Sequence, residues 1–139
     1  MGDTQGALDS YSKAFAIRES LSQKNPGNVD DTVAMVRTLR LIAAVLGNRG
    51  DATSIPKLQR ALASAEQAFK IAPSNPAVLE ELQASYYLLA VLLDAAGDYR
   101  SAAEYLQKEL PIVEARAQAS QMCIRDSLHT ARPEPRKAL

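Results

Sequence analysis

The stretch that decides the reading of this chain is YYLLAVLLDAAGDYRSAA, residues 86–103. Its first half sets Tyr86, Leu89, Ala90 and Leu93 at steps of three, one and three, the spacing of one helix face. Gly97-Asp98-Tyr99 then interrupts, and Ala102-Ala103 resumes an apolar face. An earlier copy keeps the same internal spacing: Leu39, Ile42, Ala43 and Leu46 precede Gly50-Asp51. Gly2-Asp3 followed by Ala7-Leu8 matches the second half alone. The Gly-Asp pairs thus recur after 48 and 47 residues, and the Asn-Pro breaks at Asn25 and Asn75 after 50. A fixed period in this range marks a stack of supersecondary units, because one helical hairpin cannot bury both of its faces. Small residues at the crossings, Ala43 and Ala90, let helix axes approach closely.

Working outward, the pattern predicts about five helices. Ala7, Leu8, Tyr11, Ala14, Phe15 and Leu21 give an amphipathic helix over about Thr4 to Lys24, stopped by Asn25-Pro26-Gly27-Asn28. A second runs from about Val29 to Leu46, with Asp30 and Asp31 at the positive end of its dipole. Asp51 or Ser54 is placed to cap the third, about Ile55 to Ile71, whose seam is Ile55, Leu58, Leu62, Ala65 and Phe69. Asn75 caps the fourth, about Pro76 to Ala96, with Pro76 in its first turn. That helix is apolar on all sides from Ala84 to Leu93 and is expected to pack on two faces. The fifth begins near Asp98, and Pro111 predicts a kink or an end near Leu110.

At 139 residues the chain is one domain by length. Apolar residues make up 47% and charged residues 23%, the composition of a folded protein. Net charge is zero, so neither nucleic acid nor an anionic membrane is favoured, and no apolar run approaches a membrane span. Cys123 is the single cysteine, which excludes an internal disulfide. It fits a reducing compartment, and with no secretory leader in view a cytoplasmic location is expected.

These residues resemble the tetratricopeptide repeat, whose pattern is a large residue, then Leu-Gly, then an aromatic, a Gly-Asp turn, and an Ala-aromatic-Ala series in the second helix. Tyr86, Leu89, Ala90 and Leu93 fit the first-helix positions, as do Leu39, Ile42, Ala43 and Leu46; Ala7, Tyr11 and Ala14 fit the second-helix series. The resemblance covers about residues 2–119. It implies an all-α fold, a right-handed superhelical stack of antiparallel helical hairpins. The period exceeds the usual ~34 residues. Long repeats with Ala16-Ile17-Arg18-Glu19 and an Asn-Pro-Gly-Asn loop are similar to those in the C-terminal regions of bacterial serine/threonine kinases. The first helix is then a second-helix element without its partner, which suggests truncation on the N-terminal side, and either modest stability or self-association through its exposed face is expected.

Residues 1–121 are therefore read as the repeat domain and 122–139 as an unstructured tail. Met122 to Ser127 resembles the translation of a sequencing-library adapter, so the native sequence is expected to be lost after about Gln121. Cys123, His129 and the run Arg132, Arg136, Lys137 then have no evolved role, and residues 1–121 carry 12 basic against 14 acidic residues. A basic arm for nucleic acid is the competing reading, but the tail lacks interleaved aromatics.

The chemistry of catalysis finds few components. The carboxylate pairs Glu80-Glu81, Asp30-Asp31 and Glu104 with Glu109 stand where helix starts and solvated faces place acids. His129 is the only histidine, and Ser10, Ser12, Ser54 and Ser85 have no base at readable spacing. The chain is expected to be non-enzymatic, without cofactor or metal. In the family the inner groove is lined by first-helix residues, which implies Arg37, Arg40, Ala44 and Asn48 in one hairpin and Ala84, Tyr87, Val91 and Asp94 in the next. Arg37 and Arg40, three apart, can grip a peptide carboxylate or phosphate, or stand solvated beside Asp30, Asp31 or another acid. The family's clamp for a chaperone's terminal carboxylate has Asn where Ala44 stands. Tyr87 reads as a groove contact or as core. The expected function is a protein–protein interaction module binding a peptide or partner protein in a concave groove; the alternative is the repeat arm of a larger bacterial serine/threonine kinase.

Overall fold

The computed structural model describes residues 3–130. Among them are five α-helices and no strand: α1 Thr4–Lys24, α2 Val29–Asn48, α3 Ser54–Ile71, α4 Pro76–Ala95 and α5 Tyr99–Thr130. Gly2 and the basic run Arg132, Arg136, Lys137 lie outside the described residues.

The repeated Gly-Asp pair has a double duty at the helix junctions. Gly50 and Gly97 take φ of 72° and 85°, a left-handed turn that costs a side-chain-bearing residue more than glycine. The amide of the following Asp then closes the old helix: Asp51 N–H donates to the Leu46 carbonyl at 3.0 Å, and Asp98 N–H to Leu93 at 2.9 Å. The Asp carboxylate meanwhile starts the new one. Asp98 accepts from the Ser101 amide at 3.1 Å, as Asp3 does from Gly6 at 2.8 Å. Hydrogen bonds from Ser101 hold the Asp98 carboxyl below its ordinary pKa, and those from Thr53 do the same for Asp51. At α3 the expectation is corrected: Thr53 is the N-cap and makes no side-chain cap bond, while Asp51 binds Thr53 one step outside the helix. Ser54 instead lies inside α3 and is buried.

Asn28 and Asn75 cap α2 and α4, the latter accepting from Ala77 N–H at 2.9 Å with Pro76 in the first turn. α5 does not end at Pro111. Tyr105, Ile112 and Ala115 lie on its inner face on both sides of the proline and pack into the core, and this burial outweighs one lost backbone bond. Helix also continues through Thr130, which corrects the expected loss of structure after Gln121. Residues 121–129 are all exposed and contain neither Gly nor Pro. A helix already nucleated propagates through such a run at little cost, without any packing to hold it.

Each helix packs on the next, and α2 also packs on α4. α1 and α2 are antiparallel, since Arg49 at the end of α2 donates to Gln5 near the start of α1, and Arg18 donates to Ala34 in the second turn of α2. α2 and α4 run in the same direction: Arg37 and Arg40 meet Glu81, while Gly47 lies against Leu92. A Cβ at Gly47 would collide with Leu92 Cδ2, so the glycine permits this approach. The core lies between α2, α3 and α4, where Val36, Leu39, Leu58, Leu79, Leu82 and Leu89 are buried. Ala43 and Ala90 are buried at their crossings, in keeping with the sequence reading.

Candidate functional site

The side-by-side pair α2 and α4 carries every residue expected to line a groove. At about 100° per residue, Glu81, Ser85 and Leu92 share the side of α4 that meets α2. Ala84, Tyr87, Val91 and Asp94 form a stripe centred about a third of a turn to one hand of that line, with Asp94 farthest from α2. On α2, Arg40 and Gly47 mark the side that meets α4, and Arg37, Ala44 and Asn48 lie about a quarter-turn to the opposite hand. For two helices running in the same direction, opposite hands are the same side of the pair. On spacing alone Arg37, Ala44 and Asn48 and the α4 stripe then fall to one side of the pair, while Arg40 turns inward to Glu81.

Exposure agrees with this arrangement. Tyr87 is 57% exposed and Val91 44%, so Tyr87 is a surface residue and α4 is not buried all round. Asn48 and Asp94 are exposed, and Ala44 and Ala84 are half-buried between them. The result is a shallow apolar strip along α4 with polar ends.

The two arginines have an internal partner. Arg40 donates from Nε to Glu81 Oε2 at 2.8 Å and from Nη2 to Oε1 at 3.3 Å, a fork-on-carboxylate contact. Arg37 adds its Nε to Oε1 at 2.8 Å. The Glu81 side chain is 1% exposed, those of Arg40 and Arg37 20% and 45%. Hydrogen bonding to Glu81, and then its charge, push the Arg37 pKa above its ordinary value, with Glu80 adding to the effect. The acid beside the pair is thus neither Asp30 nor Asp31 but the second member of the Glu80-Glu81 doublet, with Glu80 left exposed. One turn further along the same side, Ser85 Oγ is buried with no hydrogen-bond partner among the described residues.

Other polar ties were not foreseen. Arg18 of α1 donates to the Ala34 carbonyl and to the buried Thr38 hydroxyl of α2. Glu19 pairs with Arg60 of α3, whose guanidinium lies 5.4 Å from the Phe15 ring centroid. Arg60 and Phe15 also line a 350 Å³ cleft between α1 and α3, floored by Leu39, Ile42 and Leu46. On α4, Tyr86 donates to Glu66 of α3 at 3.0 Å and stands 6.3 Å from the Tyr105 ring. Burial foremost, then the Glu66 contact, raises the Tyr86 pKa. The Arg18-Glu19 pair was legible as a motif, but nothing local named its partners.

Among the described residues no group of three or more His, Cys, Asp or Glu is placed to hold a metal ion, and no helix is long and apolar enough to cross a membrane. Comparison of the chain with protein-family models, with curated proteins and with solved structures finds no match.

Proposed function

We propose that this chain is a non-catalytic protein–protein interaction module of tetratricopeptide-like architecture, binding an extended or helical peptide along the shared face of α2 and α4. The observation that carries the reading is the exposed pair Tyr87 and Val91, one turn apart on a face rimmed by Arg37, Asn48 and Asp94. An exposed aromatic beside an exposed aliphatic, with a polar rim, is the make-up of a binding patch core. The parallel contact of α2 with α4 supports a stack in which first helices line one side. A superhelix built from such hairpins would curve this side inward. Since Arg40 and one edge of Arg37 are engaged by Glu81, the pair holds the groove wall in place, and the outer edge of Arg37 is what remains for a ligand.

The test is selection of peptides from a display library against the full chain. Affinities are then compared for wild type, Tyr87→Ala, Val91→Asp and, as a control on α1, Ile17→Ala. Selected peptides should lose about tenfold or more in affinity with Tyr87→Ala, the behaviour of an aromatic anchor, and none with Ile17→Ala. Peptides indifferent to both groove substitutions would refute the assignment.

A further inference from the structure

α5 carries two apolar faces and only one is covered. Ala102, Tyr105, Ile112 and Ala115 pack inward. Tyr99, Ala103, Leu106, Leu110, Val113 and Ala117 are all exposed, and they fall at unbroken steps of four and three. At about 100° per residue this second stripe lies about a third of a turn from the first. Alternating steps of three and four are the seam of paired helices. Ile124 and Leu128 continue the same side.

An internal comparison shows what such a stripe receives. α1 and α5 begin alike, with the carboxylates of Asp3 and Asp98 each accepting from the amide three residues on. Set in that register, the α5 stripe from Ala103 to Ala117 corresponds to Leu8, Tyr11, Phe15, Arg18 and Ser22 of α1. Those α1 positions face α2: Leu8 is buried, Phe15 packs on the core, Arg18 binds Ala34 and Thr38, and Ser22 meets Thr32. In α1, then, the stripe is covered by an antiparallel helix, and in α5 no described residue covers it.

We infer that the outer stripe of α5 pairs antiparallel with α5 of a second copy of this chain. The register follows from the seam layers and from charge on the outer flank, while on the inner flank Glu109, which accepts from Gln83, comes near its symmetry mate. Setting Leu106 against Leu110 of the partner places Ala103 opposite Val113 and Tyr99 opposite Ala117, so small faces large in each outer layer. On the flank away from α4, the same register brings Arg100 beside Glu114 of the other copy, twice by symmetry. Arg100 is free to change partner, since in the single chain its one ion pair is a 3.8 Å contact with Glu104 at an open surface. α1 offers no comparable seam, exposing only Ile17 and Leu21 among its large apolar side chains.

Sedimentation equilibrium of the full chain over a dilution series tests the pairing. A reversible monomer–dimer equilibrium is expected. Leu110→Glu removes two leucines from each dimer seam and should weaken it by about a hundredfold or more. Leu110 is 64% exposed in the single chain, so circular dichroism of that variant should match wild type and separate lost pairing from lost folding. Arg100→Glu alone should weaken the dimer, and Arg100→Glu with Glu114→Arg should restore it. A chain that stays monomeric at every concentration, or a dimer indifferent to Leu110→Glu, overturns the inference; failure of the charge reversal to restore pairing overturns the antiparallel register. A monomer that instead binds a synthetic peptide copying Val29–Asn48 through this stripe would also overturn it, in favour of an α2-like partner helix.

Discussion

Removing the charge of Glu81 should cost this fold about as much as removing Arg40 and clearly more than removing Arg37. In Glu81→Gln the side chain keeps its shape but loses the charge that holds two guanidiniums. Breaking a fully buried ion pair from one side costs about 3–5 kcal/mol. Here the cost is reduced, because Arg37 is nearly half exposed and Arg40 retains some access to water. About 2–3 kcal/mol is expected. Arg37→Met should cost only about 0.5–1 kcal/mol, since Glu81 keeps both bonds from Arg40 and the lost contact is screened by solvent. Arg40→Met should cost about 2–3 kcal/mol, as it leaves a carboxylate of 1% exposure with a single donor. The triple change Arg37→Met, Arg40→Met and Glu81→Leu should return to within about 1 kcal/mol of wild type, because apolar packing replaces the desolvated charges. Urea unfolding followed by far-UV circular dichroism reads all four, with unchanged m-values showing that the same surface unfolds. Equal costs for Arg37→Met and Arg40→Met, or a triple variant as unstable as Glu81→Gln, would refute this account of the clamp.

Ser85→Ala should stabilise the chain by about 1 kcal/mol, since it removes a buried hydroxyl without a partner and adds a better helix former; a loss in urea midpoint would show that the hydroxyl is bonded after all. Gly97→Ala should cost about 1–2 kcal/mol because its φ of 85° is left-handed, while Gly27→Ala, with no such constraint, should be near neutral in the same assay. Tyr86→Phe should cost about 0.5–1.5 kcal/mol through the lost bond to Glu66. Because the folded-state pKa of Tyr86 is raised, its contribution is complete below the unfolded value of about 10 and falls away as pH rises above it. Alkaline unfolding should therefore begin at higher pH in Tyr86→Phe than in wild type, relative to each protein's neutral-pH stability; ultraviolet titration should also show one tyrosine ionising last, missing from the variant.

The helix ends, the C-terminal end of α5 apart, were legible to within about two residues because their causes are local. A glycine that takes positive φ, an Asp or Asn that accepts a free amide, and a proline in a first turn act over three or four positions. Where competing signals were close, the reading slipped: Asp51 and Ser54 flank the true cap Thr53, and Pro111 was weighed without the buried side chains on either side of it. The faces of α2 and α4 that carry the eight expected groove residues follow from spacing alone, and Arg40 is turned inward to Glu81. The role of Arg37 and Arg40 was hidden by distance along the chain. Glu81 stands 44 and 41 residues away, beside an identical residue that does face water. A usable signal was present even so: Glu81 stands among Val78, Leu82, Ser85 and Leu89, all buried, where Glu80 does not. An acid within an apolar helix side requires a cation from a neighbouring helix, and two arginines three apart on α2 were the candidates.

That internal role changes what the α2–α4 face, if it binds as proposed, would recognise. Two free arginines would draw acidic ligands over several ångströms and make affinity strongly dependent on salt. Two arginines closed on one buried carboxylate, with Glu80 beside them, leave little net charge to act at a distance. In the proposed binding mode, shape and apolar contact at the exposed Tyr87 and Val91 would then dominate, with Asp94, Asn48 and the outer edge of Arg37 orienting the ligand. The clamp also fixes α2 against α4 at one end of this strip, as the close approach of Gly47 to Leu92 does at the other. A ligand meeting Tyr87 and Val91 therefore meets a surface whose two walls are already set, so less ordering cost falls on the binding step.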